Sequence, residues 1–175
     1  YTKSMVNPLP FYLQRTGVLK PGVISEAFGA IDRADFVPEE LKSMTYADEA
    51  LPIGGGQTIS QPYTVAFMLN LLDPQPGEKI MDVGAGSGWQ TALLAHVVSS
   101  TESTEIKSQG KVYAVERVPE LCDFGRTNVS KYDFIEKGIV EWFCQDATTG
   151  LPDKAPFDKI IAAASIADYK IPKAW

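Results

Sequence analysis

This 175-residue chain predicts an α/β domain, with a mostly parallel sheet and helices on both faces. Three observations carry that prediction. The stretch Lys79–Leu94, KIMDVGAGSGWQTALL, reads as a buried strand, a glycine turn and a helix. Short apolar strands then alternate with helical patterns, the arrangement that builds parallel sheets. Two acids, Glu116 and Asp146, stand at the ends of successive predicted strands and so on one carboxyl edge of the sheet.

Taken in order, Tyr1–Lys20 is mixed, and Pro8 and Pro10 are expected to break any early helix. From Pro21, a stripe of Val23, Ala27, Ile31 and Ala34 predicts a helix closed by Phe36-Val37-Pro38. Leu51-Pro52-Ile53 and Thr58-Ile59 read as short extended pieces around Gly54-Gly55-Gly56, a loop suited to motion or close approach. Pro62–Leu72 predicts a helix that buries Val65, Met68, Leu69 and Leu72, with Ser60 standing where an N-cap would stand. Pro74, Pro76 and Gly77 end it. After the central strand and glycines, Trp89, Ala92, Leu93 and Val97 recur at helical spacing. Ser99–Gly110 is polar and unpatterned, and is expected to be an exposed, flexible insertion. Lys111–Glu116 is the second strand, and Pro119 opens a helix running to about Tyr132. Gly138–Cys144 and Phe157–Ala164 supply the third and fourth strands.

Composition narrows the partners. Apolar residues make up 45%, enough for one domain with a full core. The formal charge is -6, from 22 acidic and 16 basic side chains, which argues against nucleic acid as a generic partner. Cys122 and Cys144 lie outside any metal-ligand spacing and are expected to be reduced core thiols of a cytosolic protein. His96 is the single histidine, so a His-based metal cluster is excluded, and its place within a helix suits a surface role. No apolar run approaches the roughly 18 residues of a membrane span, and no secretory leader is recognised. The first residue is Tyr1 rather than methionine, so a longer gene is expected.

The chemistry centres on Asp82–Gly88, a D-x-G-x-G-x-G pattern with Gly84, Gly86 and Gly88. Glycines without Cβ atoms let a ligand lie against the backbone, and free N–H groups at a helix start favour negative charge. Asp82, two residues before the first glycine, would instead repel a pyrophosphate and suits a cationic group such as a methionine amine. That favours S-adenosyl-L-methionine over a dinucleotide. Glu116 occupies the strand-end position whose carboxylate bonds both ribose hydroxyls. Asp146 can accept from an adenine amino group.

From about Val23 to Ala164, the sequence resembles the protein-L-isoaspartate O-methyltransferase family. The marks are Phe36-Val37-Pro38, Tyr46-Ala47-Asp48, Leu51-Pro52-Ile53-Gly54 and above all Gly56-Gln57-Thr58-Ile59-Ser60-Gln61-Pro62, followed by the glycine motif, Glu116 and Ala162-Ala163-Ala164. The resemblance implies a Rossmann-like class I methyltransferase fold in a single domain. Residues 1–60 would form a helical and loop cap carrying the active-site loop, and 61–175 the core. It implies methyl transfer from S-adenosyl-L-methionine to the free carboxylate of L-isoaspartyl residues in damaged proteins, with S-adenosyl-L-homocysteine as product. Ser60 would then orient the incoming carboxylate, while Gln57, Thr58 and Ile59 close over the cofactor and line the peptide groove. The expected partners are isoaspartyl peptides and proteins, with no membrane or nucleic acid, for a monomer in the cytoplasm. Two departures stand out. Gln145-Asp146-Ala147 replaces the family's Gly-Asp-Gly, so Ala147 adds a Cβ beside the adenine position. The sequence also reaches only four of the seven strands usual in the fold, which would leave the apolar fourth strand as an edge. The alternatives are a non-catalytic S-adenosylmethionine-binding module and a relative that methylates one dedicated aspartyl peptide.

Overall fold

The computed structural model describes residues 7–100, 109–165 and 170–175. Four strands, β3 (Lys79–Val83), β4 (Lys111–Glu116), β5 (Val140–Cys144) and β6 (Lys159–Ala162), form an all-parallel sheet in the order β5-β4-β3-β6. A separate antiparallel hairpin joins β1 (Leu51–Gly54) to β2 (Gln57–Ile59). The helices are α1 (Leu9–Arg15), α2 (Val23–Ala30), α3 (Pro62–Leu72), α4 (Trp89–Ser99) and α5 (Pro119–Ser130).

The main core lies on the sheet face carrying Ile80, Val112, Ala114, Val140 and Ile161, where the helices pack. On α4, Ala92, Leu93, Leu94, Ala95, Val97 and Val98 are all buried. The sequence stripe gave this helix one apolar face, but α2 and α5 enclose its outer side as well. The opposite sheet face carries Met81, Val83, Tyr113 and Val115. Among the described residues, no α-helix covers it. Leu151, Ala147, Phe157 and Trp175 pack there instead, from stretches on either side of β6 that include the 3-10 turn Pro152–Lys154. This packing half-buries Ile160 and Ala162 of the edge strand β6, the strand expected to be exposed.

Three local expectations are corrected. Pro8 and Pro10 do not prevent an early helix but begin one: Pro8 is the N-cap of α1 and Pro10 lies in its first turn, where the missing N–H groups would have had no helical partner. Ser60 is not the N-cap of α3. That position is Gln61, without a side-chain cap, and Asp48 accepts from the Tyr63 N–H at 2.8 Å from a separate loop. Cys122 and Cys144 are not free thiols but a disulfide, with Cα atoms 5.7 Å apart. The packing of α5 on β5 brings them together, so the cysteines no longer point to a reducing compartment. The insertion expected to be flexible, Ser99–Gly110, lies largely outside the described residues.

The helix–sheet packing depends on Gly125 in the middle of α5. A Cβ there would strike the Gly86 carbonyl oxygen and come within 2.7 Å of the Trp142 ring. Replacing an ordinary helical glycine by alanine stabilises by about 0.5–1 kcal/mol. Here overpacking reverses the sign: Gly125→Ala is expected to lose about 1–3 kcal/mol, read as a lower midpoint in urea unfolding.

Candidate active site

The glycine turn connects β3 to α4, and Gly84, Gly86 and Gly88 all have positive φ (78°, 54° and 86°). Close packing accounts for two of them. A Cβ on Gly84 would lie 2.8 Å from the Ala164 Cβ, and one on Gly88 would lie 2.6 Å from Val129 Cγ2. The alanine run after β6 is therefore small because the turn rests on it.

The turn's amides are not free. Gly84 and Ala85 N–H donate to the Val115 carbonyl, Gly88 N–H donates to the Ala85 carbonyl, and Gly86 N–H donates to Glu116 Oε2 at 2.8 Å. The expectation of unpaired N–H groups awaiting an anion is overturned for these four. Glu116 Oε1 accepts from Val118 N–H at 2.9 Å, so two backbone donors lock the carboxylate at the end of β4. Each oxygen keeps a lone pair for a further donor.

Beside this turn lies a cavity of about 360 Å³, within the ~300–1,000 Å³ typical of small-molecule sites. Gln57, Thr58, Gly84, Gly86, Glu116, Asp146 and Ala147 all line it, as the sequence placed them. A smaller recess of about 40 Å³ adjoins it, lined by Ile59, Ser60, Ser87, Trp89 and Gln90 among others. Thr58, Gly84, Gly86 and Ala163 belong to both. Residues 57–60 thus form a shared wall, and among the described residues the Ser60 hydroxyl has no hydrogen-bond partner within the protein.

Four predicted site residues are not at the main cavity: Ser60, at the recess, and three others. Ile59 is buried at the recess. Gly88 caps α4 against α5. Asp82 is wholly buried below the turn, where Oδ1 accepts from Gln90 Nε2 at 2.8 Å and Oδ2 from the Thr91 hydroxyl at 2.6 Å. It binds the strand to the first turn of α4 rather than facing a ligand. Burial pushes its pKa up to about 6; the Thr91 and Gln90 hydrogen bonds oppose that rise and the Glu116 charge adds to it. Asp146 is exposed, and the Thr148 hydroxyl, followed by the Thr148 N–H that donates to its carboxylate at 2.7 Å, holds its pKa below the usual range.

Sequence reasoning missed much of the wall. Val118 and Leu121 supply an apolar side, Arg117 approaches Asp146 at 4.0 Å, and Lys170, Pro172 and Trp175 close the far end. Trp175 Nε1–H donates to the Ala147 carbonyl at 2.7 Å. The strand-end position of Glu116 was the available signal for its neighbours Arg117 and Val118. Nothing local marked Trp175.

The family model for protein-L-isoaspartate(D-aspartate) O-methyltransferase (PCMT) matches residues 4–175. The chain belongs to this family. Protein-L-isoaspartate O-methyltransferases of Aeropyrum pernix and Methanopyrus kandleri are 48% and 44% identical to it, over 87% and 89% of this chain. The chain spans 55% and 65% of the lengths of those two relatives. A solved protein-L-isoaspartate O-methyltransferase superposes with a TM-score of 0.79 at 26% identity, covering 98% of this chain and 51% of the other. A Plasmodium falciparum protein described as a protein-L-isoaspartate O-methyltransferase, solved in complex with S-adenosyl-L-homocysteine, superposes with a TM-score of 0.78 at 24% identity, over 96% of this chain and 77% of its own. The fold is therefore the class I methyltransferase fold of this protein-L-isoaspartate methyltransferase family, with β5-β4-β3-β6 as the part of its sheet seen here.

Asp82 gives this family member a pH signature. Its folded-state pKa of about 6 exceeds the ordinary 3.8, so between those values the native state holds the extra proton and stability falls as pH rises. The full loss, on the order of 3 kcal/mol, is reached above about pH 6. Asp82→Asn is expected to flatten the fall between pH 4 and pH 6, measured by urea unfolding at stepped pH. An unchanged slope would assign the fall to other groups.

Proposed function

We propose that this chain transfers the methyl group of S-adenosyl-L-methionine to the free carboxylate of L-isoaspartyl residues in damaged proteins, leaving S-adenosyl-L-homocysteine. The observation that carries the reading is the wall at residues 57–60, which separates a cofactor-sized cavity from a recess holding Ser60. The fit to an adenosine donor rests on Glu116, fixed by two backbone N–H groups with lone pairs to spare, and on the occupied amides of the glycine turn. A turn so wired has little to offer a pyrophosphate.

Glu116 would accept from the ribose hydroxyls, and Asp146 from the adenine amino group beside Ala147. Gln57 and Thr58 would close over the donor, with Gly84 and Gly86 letting it lie against the backbone. When bound, the sulfonium supplies an electrophilic methyl. The protein needs no general base, because the acceptor is already ionised at pH 7. Its task is placement: Ser60 donates a hydrogen bond to the incoming carboxylate, and the recess keeps water away. In this reading residues 1–60 are a cap on the core of one domain. The chain acts as a monomer in the cytoplasm on isoaspartyl proteins, without nucleic acid or membrane. Its net charge of -6 supports the exclusion of nucleic acid. Among the described residues no helix is long and apolar enough to cross a membrane.

The test is transfer of labelled methyl to an isoaspartyl peptide, to its normal-aspartyl twin and to no peptide. Transfer to the isoaspartyl form alone supports the reading. Binding of S-adenosyl-L-homocysteine without transfer would favour a binding module, and transfer only to a normal aspartyl peptide a dedicated methylase. Ser60→Ala is expected to cut turnover roughly 10- to 100-fold, the worth of one hydrogen bond to a charged group, with cofactor affinity little changed. Glu116→Ala should do the reverse, weakening S-adenosyl-L-homocysteine binding about tenfold or more by calorimetry.

A further inference from the structure

Arg33 is fully buried, yet it takes part in no salt bridge among the described residues. Burial draws its pKa down to about 10, which still leaves it charged at neutral pH. Asp48 and Glu49 are near enough for their charges to oppose that fall, but neither carboxylate reaches the guanidinium, and a buried charge without a direct ion pair is costly unless hydrogen bonds compensate it. Here four backbone carbonyls do so. Nη1 donates to Thr45 O at 2.7 Å and Ala47 O at 3.2 Å, and Nη2 to Glu49 O at 2.9 Å and Ser60 O at 3.1 Å. The guanidinium also lies 5.3 Å from the centroid of the Trp89 ring, which lines the recess together with Ser60.

An apolar side chain could fill this space without the cost of burying a charge. What only arginine supplies is a rigid planar fork that reaches four acceptors on two separate segments. One segment is the Ser60 backbone. The other, residues 45–49, carries Asp48, held on both sides by the Ala47 and Glu49 bonds. Asp48 in turn accepts from Tyr63 N–H in the first turn of α3, and from the Tyr12 hydroxyl at 3.0 Å. Ser60 is therefore held at its own carbonyl and again at the start of the helix that follows it.

We propose that Arg33 is a positioning residue for methyl transfer, fixing the Ser60 hydroxyl over the recess by clamping the Ser60 carbonyl and the 45–49 loop onto Trp89. The inference rests on the role given to Ser60 above, and it deepens that role. Arg33 touches neither the cavity nor the reacting atoms. Its contribution is geometric, and a small displacement of a positioning group can cost on the order of 100-fold in rate.

Arg33→Lys keeps the charge but offers one ammonium in place of the fork. The variant is expected to bind S-adenosyl-L-homocysteine within about twofold of wild type, since the cavity stands on the sheet edge, while kcat toward an isoaspartyl peptide falls about tenfold or more. In a Ser60→Ala background the same change should add almost nothing, because the group being positioned is gone. A purely structural arginine would lower the melting temperature and leave the kcat of the folded protein intact; that result, or losses that multiply in the double variant, overturns the proposal. Amide exchange in the wild-type chain gives a readout independent of turnover and of any variant's folding: segments 45–49 and 59–63 should open together, and separate opening overturns the clamp. If wild type transfers no methyl to the isoaspartyl peptide, the functional reading fails, and the exchange result alone decides whether the clamp exists.

Discussion

The structure turns on how closely the backbone of the glycine turn approaches its neighbours. The turn rests on Ala163 and Ala164 on one side and against Gly125 and Val129 of α5 on the other. Its amides bond to the Val115 carbonyl and the Glu116 carboxylate at the end of β4. A Cβ at Gly84, Gly88 or Gly125 would push these elements apart. Sheet edge, first turn of α4 and outer helix are thus positioned by one set of contacts, and the cavity is the space left beside them. Fold and site are the same packing problem here, because no flexible loop intervenes between Glu116 and the core.

The residues before α3 are held by additional means. They join the main core through Leu9, Leu13, Phe28 and Phe36, and polar groups fix their loops to one another and to the helices beyond. Arg33 gathers four carbonyls, Asp48 caps a helix from another loop, and Tyr46 and Tyr132 hydroxyls bond to Asp32 and Asp35. Phe36 stacks on Tyr132 at 5.7 Å, which anchors this segment on the turn that follows α5. Each bond joins residues far apart in sequence. Such networks favour one arrangement, although Arg33 Nε and Thr45 Oγ1 are buried here without a partner among the described residues.

That difference explains what was legible in the sequence. β4 at Lys111–Glu116 and α3 at Pro62–Leu72 fall where periodicity and prolines placed them, because local pattern and tertiary burial agree there. Glu116, Asp146 and residues 57–58, which line the cavity, were singled out in the sequence by strand-end position and a distinctive string. The helix at Leu9–Arg15 was hidden because prolines are breakers in a helix interior but acceptable in its first turn. Asp82 read as a ligand-facing acid, since nothing in its neighbours' identity says that Gln90 and Thr91 one turn on will take both its oxygens. The Cys122–Cys144 bridge and the reach of Arg33 depend on how α5 and the cap are folded over, which no local spacing encodes.

The internal wiring of the glycine turn also bears on selectivity. An adenosine compound with a phosphate tail would bring negative charge to a rim where Glu116 already contributes its own and four amides are committed elsewhere. Nucleotides such as ATP share the ribose and adenine proposed to lie on Glu116 and Asp146, so shape alone would admit them. At the turn itself a phosphate would meet the Glu116 carboxylate and four committed amides, so such a tail would have to turn towards Arg117 or Lys170, whereas a neutral or cationic appendage meets no conflict there.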